Sequence, residues 1–155
     1  MVDVVDVGAR SKMMSGIRSK NTKPELFLRR FLHKKGFRFR LHQKIFGGRP
    51  DLVLKKYKLA VFVHGCFWHR HLNCNYATTP SSRAEFWVKK FEDNTRRDKK
   101  NIAEFLCEDW RVLVVWECGL KHSKDNLEYI VRLILSDEKL MIWPITPPKK
   151  YKAGL

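Results

Sequence analysis

Apolar and polar residues follow two periods along this chain, and each period predicts one kind of secondary structure. Thr22 and Glu25 form a capping box with Pro24 between them, so a helix is predicted to begin there and to stop at Gly36. The strict alternation over residues 37–42 then predicts a half-buried strand. The apolar face of the helix is predicted to comprise Leu26, Phe27, Phe31 and Leu32.

Two short apolar runs in the middle of the chain predict a second kind of element. Residues 51–54 and 59–63 flank the lysine-containing turn 55–58, which is typical of an antiparallel pair of strands. The far ends of this pair carry Asp51 and His64. Both side chains are therefore expected near the loop that follows.

The C-terminal half alternates again between helix and strand patterns. Ser82 and Glu85 repeat the capping box ahead of a long helix over about residues 83–108. Residues 111–117 predict a central strand, and Ser123 opens a final helix.

The resulting order of helix, three strands, helix, strand and helix predicts a single α/β domain over residues 1–155. In such a domain a mixed sheet is flanked by helices. A basic arm over about residues 1–21 is expected before the domain. The tail over about residues 141–155, which contains several prolines, is expected to be extended and loosely held.

The charge of the chain indicates its partner. Lys and Arg number 32 against 16 Asp and Glu, which gives a formal net charge of +16 and a pI of about 10.0. An excess of this size predicts a nucleic-acid partner. No apolar run approaches the roughly 18 residues of a membrane span, and residues 1–10 lack the apolar core of a signal peptide. The sequence thus predicts a protein of the cytoplasm with no membrane partner.

Cysteine and histidine are concentrated in residues 61–74. Cys66, His71 and Cys74 are close enough in sequence for one loop to surround a zinc ion, with a fourth ligand from elsewhere. Cys118 follows an apolar stretch that could bring it to the same end of a sheet, whereas Cys107 is expected to be a buried structural thiol. Disulfides or inert buried thiols are the alternatives to a metal site.

Several longer motifs are similar to those of one family. With these motifs the chain resembles the very-short-patch-repair (Vsr-type) DNA mismatch endonucleases of the restriction-endonuclease-like superfamily. The resemblance runs from about residue 10 to residue 118. The motifs are Arg10-Ser11 with Met14 and Ile17, residues 21–25, Gly48-Arg49-Pro50-Asp51, residues 64–69, Glu85-Phe86-Trp87 and residues 114–118.

The resemblance implies an activity and its cofactors. A Vsr-type enzyme nicks one strand next to the T of a T:G mismatch, the lesion left by deamination of 5-methylcytosine, and so initiates very short patch repair. It would use Mg²⁺ for catalysis and Zn²⁺ for structure. Asp51 and the main-chain carbonyl of Val63 would hold the Mg²⁺, and Glu25 would order water around it.

The resemblance also assigns the proton-transfer and zinc-binding residues. His69 would be the general base, His64 would stabilise charge on the phosphate or leaving group, and Asp98 would orient His69. Zinc would be held by Cys66, His71, Cys74 and Cys118. His69 remains an alternative to His71 in this set, because Arg70 replaces one of several consecutive histidines of the family.

The remaining roles concern DNA. Lys90 and Asn94 would contact the mismatched bases. A place in the core is the alternative for the aromatic candidates, and it is a stronger alternative for Trp87 than for Phe67 and Trp68, whose loop zinc would already order. Most lysines on such a helix meet only phosphate or solvent. The side chains expected to intercalate between base pairs are Phe67, Trp68, Trp87 and Met14.

Two other functions compete with this interpretation. One is a zinc-stabilised module that binds distorted DNA without cutting it, and the other is a nuclease of the same fold with a different target. Asp51, His64 and His69 favour a nuclease, since a pure binding module would not need them in one place. The expected setting is a monomer on mismatched double-stranded DNA in the bacterial nucleoid, and mismatch-repair proteins are candidates for further partners.

Overall fold

The computed structural model describes residues 20–148. Met14, most of the basic arm and the last residues of the tail therefore lie outside the described residues. In the described part of the chain, no helix is both long enough and apolar enough to cross a membrane.

Helix α1 spans Lys23–Lys34 and begins at the predicted cap. The Thr22 hydroxyl accepts a hydrogen bond from the Glu25 backbone N–H at 3.4 Å, while the Glu25 side chain accepts one from the backbone N–H of Asn21. The predicted apolar face was partly wrong, because Leu28 and Leu32 are buried and the other predicted positions are only half-buried. Those half-buried positions are Leu26, Phe27 and Phe31.

A mixed five-stranded sheet forms the centre of the molecule, in the spatial order β1-β2-β3-β4-β5. β1 pairs antiparallel with β2, and β2 with β3, whereas β3 with β4 and β4 with β5 are parallel. The predicted antiparallel pair and the central strand are confirmed, but β1 is much shorter than the predicted strand over residues 37–42. The strands are β1 Arg40–Leu41, β2 Leu52–Leu54, β3 Leu59–His64, β4 Arg111–Trp116 and β5 Leu140–Trp143.

Within residues 20–148 three further α-helices follow: α2 spans Ala84–Cys107, α3 spans Glu117–His122 and α4 spans Leu127–Leu135. The long helix is confirmed, but its N-cap is Arg83 in a left-handed conformation (φ 57°), so Ser82 does not cap it. Cys107 is exposed, which corrects its expected burial, because the last turn of α2 points this position away from the sheet.

The predicted mixed sheet flanked by helices is confirmed, and helices cover both of its faces. One layer packs Leu28 and Leu32 of α1 and Ile130 of α4 against the strands, and the other packs Phe105 of α2 against Val114. Alternate residues of β4 supply the two layers, so β4 is buried on both faces and lies inside the sheet.

The expectation of a loosely held tail was wrong for its first residues. Met141 and Trp143 are buried (2% and 3% exposed), and β5 extends the sheet in parallel with β4. The sequence pattern was misread because Pro144 suggested a loop, whereas it only follows the strand.

Candidate active site and metal centre

The pairing of β2 with β3 places the first acidic residue of the site. Asp51 lies immediately before β2, and its Oδ2 accepts a hydrogen bond from the backbone N–H of Val63 at 2.7 Å. The strand pair therefore holds the carboxylate beside the end of β3, where His64 is located.

Glu25 and His42 join Asp51 in a compact group whose potential ligand atoms all lie within 4.8 Å of one another. Glu25, from the first turn of α1, is 2% exposed, and its Oε2 lies 2.9 Å from His42 Nε2. The same His42 nitrogen lies 3.8 Å from Asp51 Oδ1. Sequence reasoning missed His42, whose one signal was a polar ring at the end of an alternating segment.

The pKa of Asp51 is raised to about 8, first of all by burial and in addition by the neighbouring Glu25 carboxyl, while the hydrogen bond from Val63 opposes the shift. Two negative charges on Asp51 and Glu25 would repel each other in this buried position. The pair therefore favours binding a proton or a cation between the two carboxyl groups. A pair of carboxylates is the donor set that hard divalent cations such as Mg²⁺ prefer. The residues present therefore fit that ion.

A second group lies on the other side of Val63. His69 Nδ1 lies 2.6 Å from Asp98 Oδ2, and His64 Nε2 lies 3.9 Å from Asp98 Oδ1. The two imidazole rings stack with centroids 4.0 Å apart. Burial, and then the neighbouring His69, lower the pKa of His64 to about 3, so His64 is neutral near pH 7.

Asp51 of the first group and His64, His69 and Asp98 of the second group line one cavity of about 500 Å³. Its walls come from the loop before β2, the end of β3, the loop after β3 and the middle of α2. Three cationic side chains line it together with the carboxylates and histidines: Arg49, Arg97 and Lys100. The cavity thus offers cationic side chains to an anionic ligand, next to His64 and His69 and to the carboxylates Asp51, Asp98 and Glu104.

The predicted zinc ligands meet behind this cavity. His71 Nδ1 lies 3.5 Å from Cys66 Sγ and 3.3 Å from Cys118 Sγ, and Cys74 completes a group within 4.8 Å. Tetrahedral thiolates at a Zn–S distance of about 2.3 Å lie about 3.8 Å apart, so this set fits zinc. The Cys118 thiol, and then burial, raise the pKa of the Cys66 thiol, as expected for thiols packed together without a cation.

The geometry also separates the two histidine and the two cysteine alternatives. His69 Nδ1 is directed at Asp98, whereas His71 lies among the thiols and stacks on Trp116 at 4.1 Å. Cys118 is buried at the start of α3, but Cys107 is exposed. His71 and Cys118 are therefore the residues that this arrangement can offer to zinc.

The predicted intercalating side chains form one aromatic cluster. Phe67 and Trp68 are partly exposed and meet edge to face with centroids 5.1 Å apart. Trp87 is only 3% exposed and packs against both of them at 5.7 and 5.8 Å, with Phe91 beneath. In this conformation Trp87 supports the two exposed rings and does not project from the surface.

Two polar residues of this region differ in exposure. Asn94 donates its side-chain N–H to the carbonyl of Trp68 at 3.1 Å, so it holds the aromatic loop from α2. Lys90, one turn earlier, is exposed. Lys90 is thus available to a ligand, while part of the Asn94 amide is already occupied.

Arg70 organises the same loop and was not singled out for this role from the sequence. Its guanidinium lies 3.9 Å from the centroid of the Phe91 ring and donates to the carbonyls of Phe67, Ala77 and Thr78. These bonds tie the segment between the metal ligands to the chain beyond them.

Known proteins share both the sequence and the fold of this chain. Residues 2–76 match the family model described as DNA mismatch endonuclease Vsr. The "Type II nicking enzyme V.NmeAIP" of Neisseria meningitidis serogroup A is 45% identical over 134 residues, which cover 86% of this chain and 95% of that protein. The "DNA mismatch endonuclease Vsr" of Escherichia coli K12 is 41% identical over 121 residues, covering 78% and 77%.

A solved structure shares the architecture at low sequence identity. The catalytic domain of the homing endonuclease I-Bth0305I superposes with a TM-score of 0.52 at 20% identity, over 74% of this chain and 94% of that domain. The similarity confirms the predicted endonuclease fold of a mixed sheet flanked by helices.

Proposed function

Since this chain belongs to the DNA mismatch endonuclease Vsr family, we propose that it nicks one strand of double-stranded DNA next to the T of a T:G mismatch, by Mg²⁺-dependent hydrolysis. The observation that carries this proposal is the single cavity that holds Asp51, His64, His69 and Asp98 among cationic side chains. A module that only binds DNA has no use for a carboxylate and a carboxylate-oriented histidine in one cavity.

His69 acts as the general base. Its Nδ1 is paired with Asp98, which favours the tautomer with the proton on Nδ1 and leaves Nε2 to accept a proton from the attacking water. His64 is neutral because it is buried, and it stacks on His69. It fixes the plane of the base and offers an N–H to the phosphate or the leaving oxygen.

Asp51 provides a carboxylate in the wall of the cavity, and Glu25 lies next to Asp51. When bound there, Mg²⁺ supplies positive charge to the scissile phosphate. Asp51 is held in place by the backbone of Val63, whose carbonyl is the further oxygen in the proposed set. Arg49, Arg97 and Lys100 attract the neighbouring phosphates of the same strand.

Recognition is proposed to reside in the aromatic loop. Zinc, when bound by Cys66, His71, Cys74 and Cys118, supplies rigidity to the segment between them. Phe67 and Trp68 lie in that segment next to His69, so insertion of these rings at a base step would bring the adjacent phosphate to the cavity. Trp87 and, beyond the described residues, Met14 complete the proposed set, and Lys90 and Asn94 are proposed to face the mismatched bases.

The test is a cleavage assay with Mg²⁺ on otherwise identical T:G, matched and other mismatched duplexes. We expect a nick in the T-containing strand of the T:G duplex only. Asp51→Ala should bind this duplex but cut it at least about 100-fold more slowly, because the ion loses a charged ligand. If Asp51→Ala cuts as fast as the parent protein, the metal is not held at Asp51. If another mismatch is cut in preference to T:G, the proposed target is wrong.

A further inference from the structure

The side chain of Glu25 is held by three nitrogen donors that all meet one of its oxygens. Oε2 accepts a hydrogen bond from the backbone N–H of Asn21 at 3.0 Å, pairs with the guanidinium of Arg29 one turn along α1, and contacts His42 Nε2 at 2.9 Å. Oε1 receives none of these three donors. The three nitrogen donors therefore fix one oxygen of the carboxylate, and the Glu25 side chain also lies within hydrogen-bond range of the Asp51 carboxyl.

The donors come from two parts of the chain, the start of α1 and the residue after β1. Asn21 precedes the cap of α1, Arg29 belongs to α1, and His42 follows β1. The backbone N–H of His42 donates to the carbonyl of Asp51 at 3.3 Å, and its φ of 49° turns the chain at this point. The backbone of Asp51, and not α1, therefore fixes the position of the His42 imidazole.

This arrangement matters because Glu25 and Asp51 are positioned in different ways. The position of the Glu25 carboxylate depends on how α1 packs on the sheet, whereas that of Asp51 does not. Asp51 is fixed by the hydrogen-bonded strand pair. Glu25 has three side-chain torsions and belongs to an element that packs on the sheet only through side chains. His42 bridges the two, since the same nitrogen lies 2.9 Å from Glu25 and 3.8 Å from Asp51.

We propose that His42, assisted by Arg29, is a positioning residue that fixes Glu25 by its Oε2 so that Oε1 can bind water of a divalent cation held at Asp51. This inference rests on the proposed function of the same cavity. His42 acts through Glu25 and does not itself bind the ion. Outer residues that orient a ligand in this way typically change metal affinity by about 10- to 100-fold when they are lost.

The experiment measures Mn²⁺ binding to the full chain without DNA, from the electron paramagnetic resonance signal of the unbound ion. His42→Gln places an amide N–H where Nε2 stood and should bind Mn²⁺ within about threefold of the parent protein. His42→Leu and the shorter His42→Asn cannot reach Glu25 and should bind about 10- to 100-fold more weakly. His33→Leu, at an exposed histidine of α1, is the matched control and should change nothing.

A double-mutant cycle with Glu25→Gln identifies the route of the effect. If His42 acts through Glu25, His42→Asn should have little further effect in the Glu25→Gln background. An equal loss in both backgrounds, or a loss with His42→Gln as large as with His42→Asn, would make the imidazole a direct ligand and overturn the proposal. Unchanged affinity in His42→Asn, or no Mn²⁺ binding by the parent protein, would overturn it as well.

Failure of this inference can be told from failure of the proposed function. Mn²⁺ affinity is independent of the DNA that the enzyme cuts. A parent protein that shows the expected affinity pattern but leaves T:G duplexes intact would retain the role of His42 and lose the proposed target. Normal T:G nicking by the parent protein, together with an unchanged Mn²⁺ affinity of His42→Asn, would retain the proposed target and overturn the role of His42.

Discussion

At the scale of single residues, ionisation of Asp51 lowers the free energy of unfolding when no metal ion is bound. The carboxyl is held out of water beside a second carboxyl, and its pKa of about 8 lies above the ordinary value of 3.8. The folded state therefore holds this proton more tightly than the unfolded state does. The stabilisation is complete below about pH 3.8 and is lost as the pH rises towards about 8.

This sign leads to a prediction for Asp51→Asn in buffer without added Mg²⁺. The amide cannot ionise, so the variant should gain stability relative to the parent protein as the pH rises from 5 to 8, by about 1 kcal/mol or about 2–4 °C in Tm for each pH unit. Thermal unfolding of both proteins across this range measures the difference. Added Mg²⁺ should make this stability difference smaller, because it stabilises only the parent protein. A stability difference that does not change with pH would contradict ionisation of Asp51 as its cause.

Asp98 offers a second prediction at this scale. It contacts His69 at 2.6 Å, and Asp98→Asn would keep the shape but remove the preference for the proton on Nδ1. Nicking should fall by at least about tenfold under single-turnover conditions, with DNA affinity unchanged, because the base loses its orienting charge.

The control for that substitution is on the same helix. Asp93→Asn removes a carboxylate that pairs with exposed Arg96, outside the cavity lining. It should cut at the parental rate. If Asp98→Asn and Asp93→Asn slow nicking equally, the cause is the changed net charge of α2 and not a lost orientation of His69.

At the scale of elements, α2 combines tasks that the sequence shows only as one long helix. Trp87, Phe91, Asn94 and Asp98 recur at intervals of three or four residues, and Phe105 continues the same side. The first half of the helix supports the aromatic loop, its middle supplies the partner of His69, and its end packs on the sheet. A shift of α2 would therefore disturb recognition and catalysis together.

The loop of residues 66–74 depends in the same way on a contact with α3. Cys118→Ser removes a thiol from the group around His71, so one tightly held zinc ion per chain should be lost and folding weakened. Cys107→Ser changes an exposed thiol and should retain the metal. Metal analysis and thermal unfolding of the two variants measure this prediction, and zinc loss in Cys107→Ser would contradict the ligand set.

At the scale of the whole molecule, the charge of +16 and the aromatic loop serve different parts of DNA binding. Counterion release should make the affinity for matched DNA fall steeply with salt, whatever the sequence. Trp68→Ala removes a partly exposed ring and leaves the charge unchanged. It should lower T:G affinity and nicking by about tenfold or more, since stacking contributes about 1–3 kcal/mol per base.

The measurement compares binding to T:G and matched duplexes over a range of salt concentrations. The salt dependence on matched DNA and the zinc content should stay as in the parent protein. An equal loss on both duplexes would assign Trp68 to general DNA binding and leave the mismatch preference to other residues.

Local patterns determined much of this protein. The capping box at Thr22, the strand pair beginning at Asp51 and the long amphipathic region after residue 83 depend on neighbours within a few residues, and all three were found where the sequence predicted helix or strand. The motifs around Asp51 and His64 likewise indicated the family. The role of each site residue remains a prediction, although the structure brings Asp51, His64, His69 and Asp98 into one cavity.

Only the tertiary structure decided which distant residues meet. His42 reaches Glu25 because β1 packs beside β2 and α1 covers the sheet, and no local pattern encodes that contact. The burial of Trp87 and the strand formed by Met141 and Trp143 likewise depend on partners far along the chain. Periodicity and capping report free energies that neighbouring residues determine, whereas the site is assembled by side-chain packing between elements, whose partners are selected only when the whole core forms.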